Sequence, residues 1–150
     1  MALLDVNERD INTILREIAK ADLYTDENLQ RILSAGADVI AGAVKASVVQ
    51  KGHSRTGQLQ QNIKVDPTLR THSKSHYRYV TVVVKGNSRR DAKHKKPVRN
   101  AVKGFVVNYG RKTNGAFRRS LYWTDAVKKA APAVFAAMQA EAEKITNERS

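Results

Sequence analysis

The chain has 150 residues, of which 41% are hydrophobic, and this size and composition predict a single domain over residues 1–150 with one core. It contains no cysteine, which excludes disulfides, thiolate metal ligands and cysteine nucleophiles. No continuous apolar run reaches the roughly 18 residues of a membrane span, and the first residues lack the pattern of a signal peptide. We therefore expect no membrane contact, and assembly in a cytoplasm.

Positive charge is concentrated in the middle of the sequence. The formal net charge is +13, and residues 50–119 contain 18 Lys or Arg but only two acids, Asp66 and Asp91. The two flanks together contain 9 basic and 12 acidic residues. Such a surface predicts a polyanionic neighbour, either nucleic acid or an acidic protein face, although a generally basic soluble surface would have the same composition.

Two helices are predicted in the first third of the chain. Asp5 and Glu8 are spaced like a capping box, and the apolar positions after them predict a helix over 5–20, with residues 1–22 peripheral to the domain. Thr25 is a suitable N-cap for a longer helix over 25–50, and Gly52 is suited to end it. One face of this second helix is apolar: Leu29, Ile32, Leu33, Gly36, Ile40, Val44 and Val48.

A small sheet is predicted next. Alternating apolar positions indicate a strand over 61–66 that ends at Pro67. The segment 77–85 is rich in Val and Tyr and indicates a second strand that ends at Gly86. Its centre, Val80-Thr81-Val82-Val83-Val84, is typical of a central strand covered on both faces. The polar residues 67–76 predict a loop between the two strands.

Two basic loops, 86–97 and 110–119, flank an ambiguous segment. The first contains no core-forming residue, so we expect it to become ordered only on contact with a partner. Residues 98–109 fit a helix, which we favour, whereas 105–107 fit a short strand. The basic residues predicted to contact a polyanion or a protein partner are Arg89, Arg90, Lys93, Lys95, Lys96, Arg111, Lys112, Arg118 and Arg119.

A long helix over about 121–146 is predicted at the end, capped by Ser120 or Thr124 and kinked at Pro132. The order of elements defines an α+β fold, in which a small antiparallel or mixed sheet is packed by long N- and C-terminal helices. Seven residues are expected to be largely buried: Leu33, Ile40, Val44, Val82, Val84, Val134 and Phe135.

Patterns that indicate catalysis or metal binding are sparse. His72 and His76 would face one metal on a helix, but they lie in a predicted loop beside cations, which favours solvated histidines. The basic middle offers only Asp66 and Asp91 to hold Mg²⁺, too few for a metal-dependent nuclease. We expect no catalytic residue, no metal site and no cofactor, and interpret the chain as a protein that is not an enzyme.

Several short motifs occur in a recognisable order. Thr56-Gly57-x-Leu59 and Ile63 precede the Val-rich strand, and Phe105–Gly110 and then Leu121–Ala126 follow it. Over about residues 25–140, this order resembles the gene-product-ten-like family of phage neck and tail-completion proteins. Asn108 stands where that family usually has Glu, and Arg111 where it has Thr. The positions that carry the resemblance are Thr56, Gly57, Leu59, Tyr109 and Gly110.

The resemblance implies a structural subunit of a tailed-phage virion, located in the neck and assembled in the bacterial host cytoplasm. It implies a ring of identical subunits, sixfold or related, that joins the head connector to the tail tube and contacts adjacent neck, connector and tail-tube proteins. There the basic loops would meet phosphates of the genomic DNA in the channel or acidic protein faces. Two alternatives stay open: a tail-terminator ring protein, and a free, non-specific basic DNA-binding protein.

Overall fold

The fold is α+β, as the sequence predicts: two long helices pack with a two-stranded antiparallel sheet. The structure is a computed structural model that describes residues 25–52, 57–86, 108, 111–113, 116–118 and 121–148. The elements in chain order are α1 (Asp26–Gln50), α2 (Gln58–Asn62), β1 (Ile63–Thr71), β2 (Arg78–Val84), β3 (Arg111–Thr113), β4 (Ala116–Arg118) and α3 (Tyr122–Glu148). The predicted helix over 5–20, and all of 98–109 except Asn108, lie outside the described residues.

The bounds of α1 follow from its capping residues. The Thr25 hydroxyl accepts a hydrogen bond from the Asn28 N–H at 3.2 Å, and Asp26 and Glu27 occupy the first turn, where the positive end of the helix dipole favours acids. Beyond the C-terminus, Gly52 has φ +73, a left-handed conformation that costs glycine little. The predicted helix over 25–50 is confirmed.

Close packing of α1 on α3 organises the molecule. At Gly36 the two helices approach so closely that a Cβ atom there would lie 2.9 Å from Met138 Cγ and 3.1 Å from Val134 Cγ1. Gly42 lies on the opposite, exposed side of α1, and a Cβ atom there would meet nothing within 4 Å. Of the two glycines, therefore, only Gly36 is required by packing inside the subunit.

The core has two clusters along this helix pair. The larger lies where α1 ends and α3 begins, and Leu59, Val65, Val82, Val84 and Trp123 pack against it. The smaller lies at the other end of the pair, where Phe135 and Met138 pack against it. The buried residues of the larger cluster are Ala41, Val44, Val48, Ile63, Tyr122, Ala126 and Val127, and those of the smaller are Ile32, Ala142 and Ile145.

Of the seven residues predicted to be largely buried, two are buried and five are more exposed than expected. Val44 and Val134 are buried, as expected. Five of the seven residues are only half-buried, because they lie at the margins of the helix pair or on a sheet of two strands: Leu33, Ile40, Val82, Val84 and Phe135.

The first strand is longer than predicted and begins later. Residues 58–62 are helical, so β1 starts at Ile63, and it continues through Pro67 to Thr71. Its pairing with β2 changes register between Asp66 and Arg70, and proline is tolerated there because no ladder hydrogen bond is lost. The expectation that Pro67 ends the strand is wrong for this reason.

The second strand is not the covered central strand that its sequence suggests. Among the described residues β2 pairs with β1 alone, and all seven of its residues are half-buried. A run of β-branched residues suits any pleated, half-buried surface, so its composition did not distinguish a two-stranded ribbon from the centre of a larger sheet.

The expected second basic loop contains paired strands. β3 and β4 form an antiparallel hairpin with Arg111 opposite Arg118 and Thr113 opposite Ala116. The two residues between the strands in sequence are Asn114 and Gly115, a pair typical of tight hairpin turns. The Asn-Gly pair in the sequence indicates a hairpin, but the basic composition of residues 110–119 favoured the prediction of a loop.

By length and composition, α1 alone among the helices of the described segments could cross a membrane. A core helix of a globular subunit meets the same criterion, and α1 packs along α3 and against both strands of the β1–β2 sheet. Pro132 lies inside α3, which runs without interruption from Tyr122 to Glu148.

The two glycines of α1 provide a matched test of the helix packing. We expect Gly36→Leu to lower the free energy of unfolding by about 1–3 kcal/mol, because the side chain would be forced against Met138 and Val134. The same substitution at Gly42 should raise it by about 0.5–1 kcal/mol, because leucine favours an exposed helix more than glycine does. Urea unfolding of both variants measures the difference, and equal effects at the two sites would contradict this packing.

Candidate interaction surface

The start of α3 is capped by a side chain that is distant in sequence. The Asn108 Oδ1 accepts hydrogen bonds from the backbone N–H groups of Trp123 at 2.9 Å and Thr124 at 3.3 Å. Its Nδ2 donates to the Thr124 hydroxyl at 3.2 Å, and Asn108 is 3% exposed. These bonds satisfy N–H groups that a helix leaves without a partner in its first turn.

Asn108 therefore caps α3 in place of Thr124, one of the two residues predicted to do so. Thr124 lies within the first turn of the helix, and Ser120 lies outside the described residues. Leu121 precedes the helix with φ +53, a conformation uncommon for a residue other than glycine, and it has no side-chain acceptor to offer. The Leu121 N–H donates to the Asn108 carbonyl at 3.0 Å, so Asn108 holds this turn through both its backbone and its side chain.

A second contact fixes the same turn to α1. The buried Ser47 hydroxyl donates to the Tyr122 carbonyl at 2.8 Å. Tyr122 is itself 1% exposed, and its burial raises the pKa of the phenol to about 12. We call this region, formed by Ser47, Leu59, Ile63, Asn108 and Tyr122, the motif junction.

The motif junction brings together segments that the sequence singles out separately. Gly57, with φ +65, precedes α2, whose Leu59 packs against the larger core cluster. Ile63 is fully buried in that cluster beside Tyr122 and Ala126. Of the other motif positions, Thr56, Tyr109 and Gly110 lie outside the described residues.

The β1–β2 sheet has one face against α1 and one face turned away from it. Ile63, Val65, Val82 and Val84 pack into the larger core cluster. Because side chains alternate along a strand, the residues between them point to the opposite face. We call this the outer sheet face. It comprises Lys64, Asp66 and Arg70 of β1, Tyr79, Thr81 and Val83 of β2, and the two residues that flank β2, Tyr77 and Lys85.

The turn between β1 and β2 is held by its own hydrogen bonds. The His72 N–H donates to the Tyr77 carbonyl, and the His76 N–H donates to the His72 carbonyl, both at 2.9 Å. The His72 Nδ1 accepts from the Ser75 N–H at 3.2 Å. The rings of His72 and Tyr77 stack with centroids 4.7 Å apart. The predicted loop between the strands is therefore a short, closed turn.

Exposed aromatic surface and positive charge coincide around this turn. Tyr77 is 51% exposed, and its ring contacts that of Tyr79 at 5.8 Å between centroids. Lys74 in the turn is exposed, and residues 70–78 contain no acid. Tyr77 therefore contributes to the exposed surface of the turn.

Two carboxylates interact with arginines of the sheet. Asp66 accepts from Arg70 at 3.0 Å; hydrogen bonds from Thr68, and then the charge of Arg70, lower the pKa of its carboxyl. Asp26, in the first turn of α1, accepts from Arg78 at 2.9 Å, and this hydrogen bond lowers the pKa of Asp26. Arg78 therefore ties the sheet to α1, and it points away from the outer sheet face.

The helical side of the molecule has a different electrostatic character. Arg31 of α1 donates to Glu141 at 3.0 Å and to Glu148 at 3.0 Å, so both carboxylates of α3 share one guanidinium. These hydrogen bonds raise the pKa of Arg31 and lower that of Glu148. Lys51, just after α1, forms an ion pair with Asp125 of α3. Charges on this side balance between the two helices, whereas the outer sheet face has an excess of cations.

The structure places few of the basic residues predicted to contact a partner. Arg111, Lys112 and Arg118 lie on the paired strands β3 and β4. Six others fall outside the described residues: Arg89, Arg90, Lys93, Lys95, Lys96 and Arg119. Sequence reasoning missed the cations of the first sheet, since they are spread singly along two strands and not grouped in a run.

Within the described residues, no group of three or more His, Asp or Glu side chains is placed to hold a metal ion. His72 and His76 lie in the β1–β2 turn, as expected of loop histidines.

No family model, curated protein or solved structure matches this chain. A functional interpretation therefore depends on the chain's own residues and geometry.

Asn108→Ala tests the cap of α3. We expect a loss of about 1–2 kcal/mol in the free energy of unfolding, because two N–H groups lose their acceptor. Thr124→Val is the control, since it removes only the acceptor for the Asn108 Nδ2 and should cost less. Chemical denaturation of both variants gives the comparison. An Asn108→Ala variant as stable as the native chain would show that the cap contributes nothing.

Proposed function

We propose that this chain is a structural subunit of a tailed-phage virion, located in the neck and joining the head connector to the tail tube. In this proposal the subunit forms a ring with copies of itself and has no catalytic role. The proposal begins from the resemblance of its motifs to phage neck and tail-completion proteins, and it depends on the way in which those motifs are arranged in space.

The observation that carries the proposal is the motif junction. Leu59 and Ile63 from one motif, Asn108 from a second and Tyr122 from a third meet at one end of the helix pair. Unrelated short matches in a sequence have no reason to meet in one place. A shared set of motifs does, because together they build one structural unit. The role of Asn108 as the cap of α3 also fits the family pattern. The Glu that the family usually has at this position could likewise accept hydrogen bonds from the first turn of a helix.

The distribution of charge gives further support. A ring subunit needs a stable body and separate surfaces for its neighbours. Here α1 and α3 share balanced ion pairs, while positive charge is concentrated in residues 50–119. An assembly that surrounds DNA or meets acidic connector faces would use such a division.

Deletion of the gene in the phage that encodes this chain tests the proposal and separates it from its alternatives. For a neck subunit, we expect DNA-filled heads and tails of normal length that fail to join, seen by electron microscopy of lysates. Loss of a tail-terminator ring protein would instead give tails of abnormal length. Loss of a free DNA-binding protein would leave joined particles. Either of the last two outcomes would contradict the neck assignment.

Neutralisation of the first basic loop tests its part in assembly. We expect replacement of Arg89, Arg90, Lys93, Lys95 and Lys96 by Gln to block head–tail joining or DNA retention, because the anionic surface in close contact with this loop would lose its cationic partner. Particle yield and infectivity are measured beside the native phage. Circular dichroism of the purified variant is the control for folding. Normal yield of infectious particles would show that this loop is only a solvated surface.

A further inference from the structure

The outer sheet face has the composition of a surface that binds a polyanion. It carries the exposed Lys64 and Lys85 at one end of the β1–β2 ribbon, and the exposed Lys74 lies at the turn at the other end. The one acid on this face, Asp66, already accepts hydrogen bonds from Arg70 and Thr68. Positive charge therefore lies at both ends of the ribbon, and among the described residues of this face and its turn the cations outnumber the acids.

We propose that the outer sheet face of the β1–β2 ribbon binds the phosphate backbone of duplex DNA without reading its sequence. The surface is distinct from the two basic loops that the sequence alone singles out. It belongs to a folded element with a defined register, so its cations are presented at fixed positions. The inference follows from the charge and shape of this face and does not require the neck assignment.

The dimensions of the ribbon suit a DNA duplex. The seven residues of β2 extend over roughly 20–23 Å at about 3.3 Å per residue. That length corresponds to about six or seven base pairs, at roughly 3.4 Å for each. A two-stranded antiparallel ribbon is also narrow enough to enter the major groove or to lie along its edge. The lysines at the two ends would then contact phosphates separated by more than half a helical turn.

The side chains between the lysines favour DNA over an acidic protein face. Tyr77 and Tyr79 present hydroxyl groups and half-exposed rings, and Thr81 adds another hydroxyl. Tyrosine and threonine hydroxyls commonly donate hydrogen bonds to phosphate oxygens, while lysine supplies the charge. The stacking of Tyr77 on His72 holds the first of these hydroxyls at the turn. No carboxylate-binding fork of paired arginines is available on this face, because Arg78 points towards α1 and bonds to Asp26.

Binding by a single subunit should be weak and strongly dependent on salt. Three or four phosphate contacts give a slope of about −3 in a plot of log affinity against log salt, and a dissociation constant of the order of 10⁻⁴ to 10⁻⁶ M. A ring of several copies around one duplex would bind the DNA far more tightly than one copy does, because every binding event after the first takes place within the same complex. Weak individual contacts would also let DNA slide past the surface.

The test compares two variants with the same net charge. Lys64→Gln, Lys74→Gln and Lys85→Gln together remove three charges from the sheet and its turn, whereas Lys128→Gln, Lys129→Gln and Lys144→Gln remove three from α3. Binding of the full chain to a fluorescent random duplex of about 30 base pairs is measured by anisotropy from about 50 to 200 mM salt. We expect the sheet variant to bind at least about tenfold more weakly at low salt and to lose about 2–3 units of slope, with the α3 variant within about twofold of native.

Three outcomes would overturn the proposal. One is an equal loss in both variants, which would indicate net charge alone. Another is loss of binding only when Arg89, Arg90, Lys93, Lys95 and Lys96 are replaced by Gln, which would place the contact in the first basic loop. The third is competition by polyglutamate or single-stranded DNA at least as effective as that by duplex, which would indicate an acidic protein or a single strand. None of these outcomes bears on whether the chain is present in the phage neck.

Discussion

The fold depends on how the first turn of α3 is held. This helix begins at Tyr122 without a capping side chain at the preceding residue, which is a leucine in a left-handed conformation. Asn108 supplies the missing acceptor, and Ser47 fastens the same turn to the end of α1. The larger core cluster forms around this point, because it collects the ends of both long helices and the first residue of β1. Loss of these polar contacts would loosen the element that closes the core.

In the β1–β2 sheet, core packing determines which side chains lie on the outer sheet face. Burial of Ile63 fixes the pleat of β1, so the next residue, Lys64, must point outwards. The register with β2 then determines that Tyr79, opposite Arg70, shares the outer face with that lysine. A shift of one residue would exchange the two faces, and the apolar set would lose its place against α1. The positions of the cations are therefore a consequence of core packing.

Much of the fold could be predicted because its strongest signals are local. Thr25 and the apolar stripe after it define α1, and the Val-rich segment defines β2. The parts that were wrong depend on distant contacts or on competing signals. Nothing local to Ser120 or Thr124 indicates that Asn108 caps α3, and β1 passes Pro67 only because its partner strand tolerates a change of register there. The outer sheet face was missed for a related reason, since its lysines become neighbours only when the strands pair.

The motif junction and the outer sheet face together describe a small subunit with a stable helical body and a basic ribbon. Such a subunit suits a ring around DNA, in which identical weak contacts add together. Quantitative mass spectrometry of purified phage particles tests this account most directly. The account predicts that the chain is present in intact particles at the copy number of one ring per virion. Its absence from particles, while it is abundant in the lysate of the same infected cells, would contradict a place in the neck.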